Sequence, residues 1–181
     1  MPTAFPISPF DPESENWWSK GTARLVERIC DVGLFVRGLR VQLRFGELTR
    51  APLRLMRFEL NANGAECDWI ARQPDPWDVD LRPEIGRRHA SLQALQDAVE
   101  VRQLLFDVLP DVKVARLRIY RESSNRGREM IISGQVHRNT PSFRRVRSIA
   151  MRAKLLGFRF SLENEVLMGG RPGEEPRGLP A

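Results

Sequence analysis

An α+β fold is what this sequence predicts: helices packed on a mostly antiparallel sheet, in the order α-β-β-β-α-β-β-α-β. Three observations carry that reading. Apolar residues recur at helical spacing after Thr22, from about Ser91 to Leu109, and over Ser142–Leu156. Between these stretches run short segments that alternate apolar and polar residues or end in Asn, Gly or Ser turns. The strands also come in consecutive groups, which favours antiparallel hairpins with helices on the sheet.

Taken in order, Thr22 caps a first helix through Leu25, Val26, Ile29 and Val32, and Gly38 ends the link out of it. Leu39-Arg-Val-Gln-Leu-Arg-Phe45 alternates with period two, the pattern of a half-buried strand. Leu53–Leu60 and Ala65–Arg72 flank Asn61-Ala-Asn-Gly64, whose Asn-Gly supplies the positive-φ positions of a hairpin turn. A Pro-rich connector, 73–80, leads to the longest helix, which starts at or just before Ser91 and is stopped by Pro110. Its main face is Leu92, Leu95, Ala98/Val99, Arg102 and Leu105/Phe106. Val114–Arg121 and Glu129–Arg138 form a second hairpin. The last helix, 142–156, stops at Gly157, and Phe158–Leu162 closes the order, returning through Val166–Met168. Two ββα units result, each with an Arg-Leu strand start and a Gly-x-Glu after its turn (Gly64-Ala-Glu66 and Gly127-Arg-Glu129).

At 181 residues, with 41% hydrophobic and 29% charged side chains, the chain suits one domain over 20–168. Residues 1–19 read as an arm: Pro2, Pro6, Pro9 and Pro12 favour extended backbone, and Phe5, Phe10, Trp17 and Trp18 punctuate it. The Gly/Pro/Glu-rich stretch 169–181 reads as a flexible tail. No secretory leader and no apolar run near the ~18 residues of a membrane span is visible, so the expectation is a cytoplasmic protein with no membrane partner. Cys30 and Cys67 are then expected as two buried thiols.

Charge is unevenly spread. Val112–Phe160 holds thirteen Lys/Arg against Glu122 and Glu129, whereas Phe58–Asp111 holds five Arg against eleven Asp/Glu. Segregation of this kind either attracts an anionic partner or pairs the two halves internally, and Asp97, Glu100 and Asp107 on the long helix are the internal partners in reach. Arg outnumbers Lys 26 to 3, and its planar fork suits carboxylate, phosphate and stacked contacts.

The element order is similar to that of the type III secretion chaperones and their relatives. The likeness covers about residues 22–157, is of topology alone and carries no motif residue. It implies binding of unfolded partner segments, usually as a dimer, although those chaperones tend to be acidic and this chain is basic.

Two surfaces stand out. On a helical wheel of 142–156, Phe143, Val146, Ile149, Ala150, Ala153 and Leu156 form a core stripe. The opposite side carries Arg144, Arg145, Arg147, Arg152 and Lys154 around Met151 and Leu155, a composition typical of protein interfaces. Trp17 and Trp18 of the arm add a second protein contact. In the second hairpin, Arg116, Arg118 and Tyr120 share a strand face, with Ser133, Gln135 and His137 opposite. With Arg145 they form a basic sheet surface of the kind that holds single-stranded nucleic acid.

Chemistry finds little support. There is no zinc-ligand spacing, P-loop, GxGxxG or Gly-x-Ser-x-Gly; His89 and His137 are the only histidines; and Asp75, Asp78 and Asp80 fit no calcium loop. No catalytic residue, metal or cofactor is assigned. The expectation is a non-catalytic binding or adaptor protein, chaperone-like, with a protein partner or self-association. Nucleic-acid binding is the alternative and an enzyme of unrecognised class the third.

Overall fold

The computed structural model describes residues 15–61, 64–75, 81–123 and 127–169, with side chains from Arg28 onward. The expectations placed on arm residues 1–14, on Trp77, Asp78 and Asp80, on the side chains of Trp17 and Trp18, and on tail residues 170–181 lie outside the described residues. The elements are α1 (Glu15–Gln42), β1 (Arg54–Asn61), β2 (Gly64–Ile70), α2 (Pro83–Val108), β3 (Val114–Ser123), β4 (Gly127–His137), α3 (Ile149–Leu155), β5 (Phe158–Arg159), β6 (Ser161–Glu163) and β7 (Val166–Met168). They form an α+β protein with one five-stranded sheet, order β1-β2-β3-β4-β5, and a small β6-β7 hairpin. Every pair in the main sheet is antiparallel except β2 with β3, which run parallel because α2 carries the chain back between them.

Period-two alternation sorts the sheet into two faces. Phe58, Cys67, Leu117, Gly134 and Phe158 are register partners across all five strands, on the face the helices cover. Trp69, Leu95, Val101, Leu105, Ile119, Ile132 and Val136 complete the core around it, all at 1% exposure or less. Phe35 of α1 stacks on Phe58 with ring centroids 4.5 Å apart, which ties the first helix to the edge strand.

The structure corrects four local expectations. Leu39–Phe45 is not a strand: α1 runs through Gln42, burying Leu39 and Leu43 with Phe35 while Val41 and Phe45 stay exposed. Buried positions four apart satisfy both periods, and i, i+4 packing of the helix prevails. That change leaves one strand fewer before α2 than the chaperone-like order. α1 also begins at Glu15 rather than Thr22, so Trp17 and Trp18 belong to a helix, not to an extended arm. α2 starts at Pro83, an N1 proline, eight residues before Ser91. Finally, α3 is seven residues long instead of fifteen: Phe143 takes φ 49°, and the Ser148 side chain accepts the Met151 N–H as N-cap.

A buried polar knot holds the turn after α1. Arg72 donates from Nε to Asp97 at 2.9 Å, from Nη1 to the Ala51 carbonyl at 2.7 Å, and from Nη2 to the Leu43 carbonyl. Gln93 donates to Asp97 at 3.0 Å and accepts the Leu48 N–H at 2.8 Å. Burial pushes the Asp97 carboxyl above its ordinary value, with the Arg72 charge pulling against it. Asp97 therefore serves loop 43–51, not the basic hairpin that the charge pattern suggested.

Candidate binding face

The second face of the sheet carries the charges. One row reads Arg57, Asp68, Arg118, Ser133 and Arg159 from β1 to β5; the next reads Glu59, Glu66, Arg116 and Gln135. Alternation along each strand puts these side chains opposite the core rows, and the parallel register of β2 with β3 lines carboxylates up against guanidinia. Arg118 donates to Asp68 at 2.8 Å and to Glu66 at 2.7 Å. Burial works against the Arg118 charge, but the Asp68 hydrogen bond and the surrounding carboxylates hold its affinity for the proton above the ordinary value. Arg116 reaches Glu66 only at 3.9 Å, and its side chain is 59% exposed against 24% for Arg118. Burial, reinforced by Asp68, raises the Tyr120 phenol above its ordinary pKa. The internal partners of Arg116 and Arg118 are thus β2 carboxylates.

Across β3–β5 this face dips into a groove of about 920 Å³. Arg116, Arg118, Tyr120 and His137 line it as the alternation predicts, joined by Lys154 at the end of α3 and Arg159 on β5. Among the described residues that line it, none is a carboxylate. Gly157 makes the turn that brings β5 alongside β4: its φ is +101°, and a Cβ there would stand 2.7 Å from the Gln135 carbonyl oxygen. Sequence reasoning missed Arg159 as a member of this face, and missed Glu66 and Asp68 as its counter-charges. The alternation of Glu66 and Asp68 with Cys67 and Trp69 was readable; their register against β3 was not.

The wheel drawn for 142–156 survives only in its C-terminal half. Met151, Lys154 and Leu155 share one side of α3 at i, i+3 and i+4, with Met151 53% and Leu155 44% exposed. Lys154 lies over the Phe160 ring at 5.5 Å. Arg144, Arg145 and Arg147 are exposed but sit in the non-helical segment before Ser148, so they do not ring Met151 as a helical face would. Arg152 is withdrawn: half-buried, it donates to the Val146 carbonyl at 3.1 Å and pins that segment to the helix.

Cys67 is buried, with its thiol pushed far up by desolvation, whereas Cys30 is exposed on α1, contrary to the expectation of two buried thiols. Among the described residues no three His, Cys, Asp or Glu side chains gather as a metal site requires, and no helix is long and apolar enough to cross a membrane. No protein-family model, curated protein or solved structure matches this chain. Fold and site therefore define a class only: an α+β protein whose sheet is covered by helices on one face and presents a charged, grooved face on the other.

Proposed function

We propose that this chain is a non-catalytic binding or adaptor protein, chaperone-like in role, that recognises a protein partner through α3. The observation that carries the reading is the pair Met151 and Leu155, two large apolar side chains exposed one turn apart on a short helix beside Lys154. Exposed Arg144 and Arg147 in the preceding segment supply the basic flank that protein interfaces use around an apolar centre. Arg152 supports this surface by bracing the flank, not by touching the partner. A cytoplasmic setting suits the free thiols Cys30 and Cys67. The test is recovery of a partner with Met151→Asp/Leu155→Asp beside wild type, both checked for equal folding by circular dichroism. A partner held by the wild type should be lost by the double variant; undiminished capture would refute the reading.

Nucleic acid at the sheet face is the second reading, favoured by the carboxylate-free lining of the groove with Arg116, Tyr120 and His137. Neutralisation of Arg118 by Asp68 and Glu66 weighs against it. So does the position of Arg145, which lies in the segment before α3 and is not among the residues that line the groove.

A further inference from the structure

We infer that the groove across β3–β5 is a second contact of the same binding protein, and that it takes a short, extended, acidic segment of the partner. This inference rests on the protein-binding reading and names the chemistry of the partner.

Charge complementarity selects the occupant. Arg116, Arg118, Lys154 and Arg159 line the groove, and no carboxylate among the described residues does. The charge of Arg118 is already met by Asp68 and Glu66, but Arg116 lies 3.9 Å from Glu66 at the closest and remains well solvated. Lys154 shows its ammonium to the Phe160 ring rather than to a carboxylate. An anion entering here gains attraction from Arg116 and Lys154, and no carboxylate among the described lining residues opposes it.

The surroundings limit its length. Immediately beyond Arg116 and Arg118 the same face carries three carboxylates, Glu66 and Asp68 on β2 and Glu59 on β1, against the guanidinium of Arg57, which is already paired with Glu59 and Glu66. A long polyanion crossing the sheet would run over those carboxylates. Along β3, the stretch from Arg116 to Tyr120 spans about 13 Å, room for about four extended residues. A single-stranded nucleic acid needs stacking platforms as well as charge, and among the described lining residues the rings are Tyr120, His137 and the buried Phe158, with Tyr120 alone on β3. A peptide needs no such platform. It can pair carboxylates with Arg116 and Lys154 while backbone groups meet Ser133 and Gln135, and an apolar residue nearby can reach Met151 on the outer side of α3, the helix that supplies Lys154.

The test uses a fluorescein-labelled peptide of about ten residues, rich in Asp and Glu with one central Leu, a Gln-for-Glu peptide as control, and a single-stranded oligonucleotide of matched length. Anisotropy titrations compare wild type, Arg116→Gln/Lys154→Gln, Arg116→Glu/Lys154→Glu and the remote Arg37→Glu on α1. The acidic peptide should bind the wild type and Arg37→Glu alike, lose about tenfold in affinity with the Gln pair and more with the Glu pair, and weaken as salt rises. Binding should also change the emission of Tyr120 after tryptophan emission is subtracted. Absence of peptide binding, or equal binding by the Glu pair, overturns the inference. Tighter, Arg116-dependent binding of the oligonucleotide overturns it as well and makes the groove a nucleic-acid site. If Met151→Asp/Leu155→Asp loses a captured partner while Arg116→Glu/Lys154→Glu keeps it, the groove inference falls and the α3 reading stands.

Discussion

Arg72 is placed where one substitution should reach furthest. Its side chain is fully buried against Asp97 and also holds carbonyls of Leu43, Arg44 and Ala51. Arg72→Met would remove the charge that compensates the buried Asp97 carboxylate, leaving it the Gln93 donor alone, and would strip the three carbonyls of their Arg72 donor, so we expect a loss of about 3–5 kcal/mol in urea denaturation. Arg72→Met/Asp97→Leu should cost less than the sum of the two single changes, since it removes the orphaned charge along with its partner. Tyr120 offers a different probe on the other side of the sheet. Its raised pKa means that the native state keeps the phenolic proton at a pH where the unfolded chain has released it. Stability from this group is therefore intact below the ordinary value of about 10 and is lost as pH rises through the higher folded value. Because it is the only tyrosine, phenolate absorbance should show a single midpoint above the ordinary value in native protein, returning to it in guanidinium. The cysteines give a third readout: one thiol, Cys30, should react promptly with a disulfide reagent, and Cys67 only on unfolding.

Among the elements, α3 and its turn into β5 decide what the binding surface looks like. A helix of seven residues cannot stand on propensity, so it depends on its cap and on packing of Ala153 and Leu156. Ser148→Ala should cost about 1 kcal/mol by removing the acceptor for Met151 N–H. Gly157→Ala should cost about 1–3 kcal/mol, because the backbone there is left-handed and the Gln135 carbonyl occupies the space a Cβ would need. The two strand arginines separate structural charge from available charge. Arg118→Gln leaves Asp68 and Glu66 largely unmatched and should lower stability by about 1–3 kcal/mol. Arg116→Gln, at an exposed site, should stay within about 0.5 kcal/mol and yet weaken anion binding. The contrast is measured by pairing chemical denaturation with the peptide titration.

For the molecule as a whole, the segregation of charge along the chain resolves into a pattern across one surface. Carboxylates of β2 lie beside guanidinia of β3, Glu59 pairs with Arg57 within β1, and Arg54–Glu122 and Arg121–Glu129 tie further pairs. Lys154 of α3 lines the groove beside Arg116 and Arg118 and faces the Phe160 ring. Much of this molecule was open to reading in the linear chain, because local periods of two and 3.6 residues are written in consecutive side chains. The α+β class, both hairpins, the end of α2 just before Pro110 and the common face of Arg116, Arg118 and Tyr120 all follow from such local patterns. Three things required the folded molecule. Whether Leu39–Leu43 belonged to helix or strand turned on what lay opposite, since residues four apart share a face in either. Where α3 begins turned on competition between a helical pattern from Ser142 and the cap at Ser148, with Phe143 at positive φ and Arg152 bonded back to the Val146 carbonyl. And which strand arginine is closely paired and which stays exposed turned on the parallel register of β2 with β3, strands some fifty residues apart that α2 brings side by side. Alternation along a strand is a property of neighbours in the chain, whereas register between strands is a property of the packed whole, and it is register that neutralises Arg118 and leaves Arg116 available.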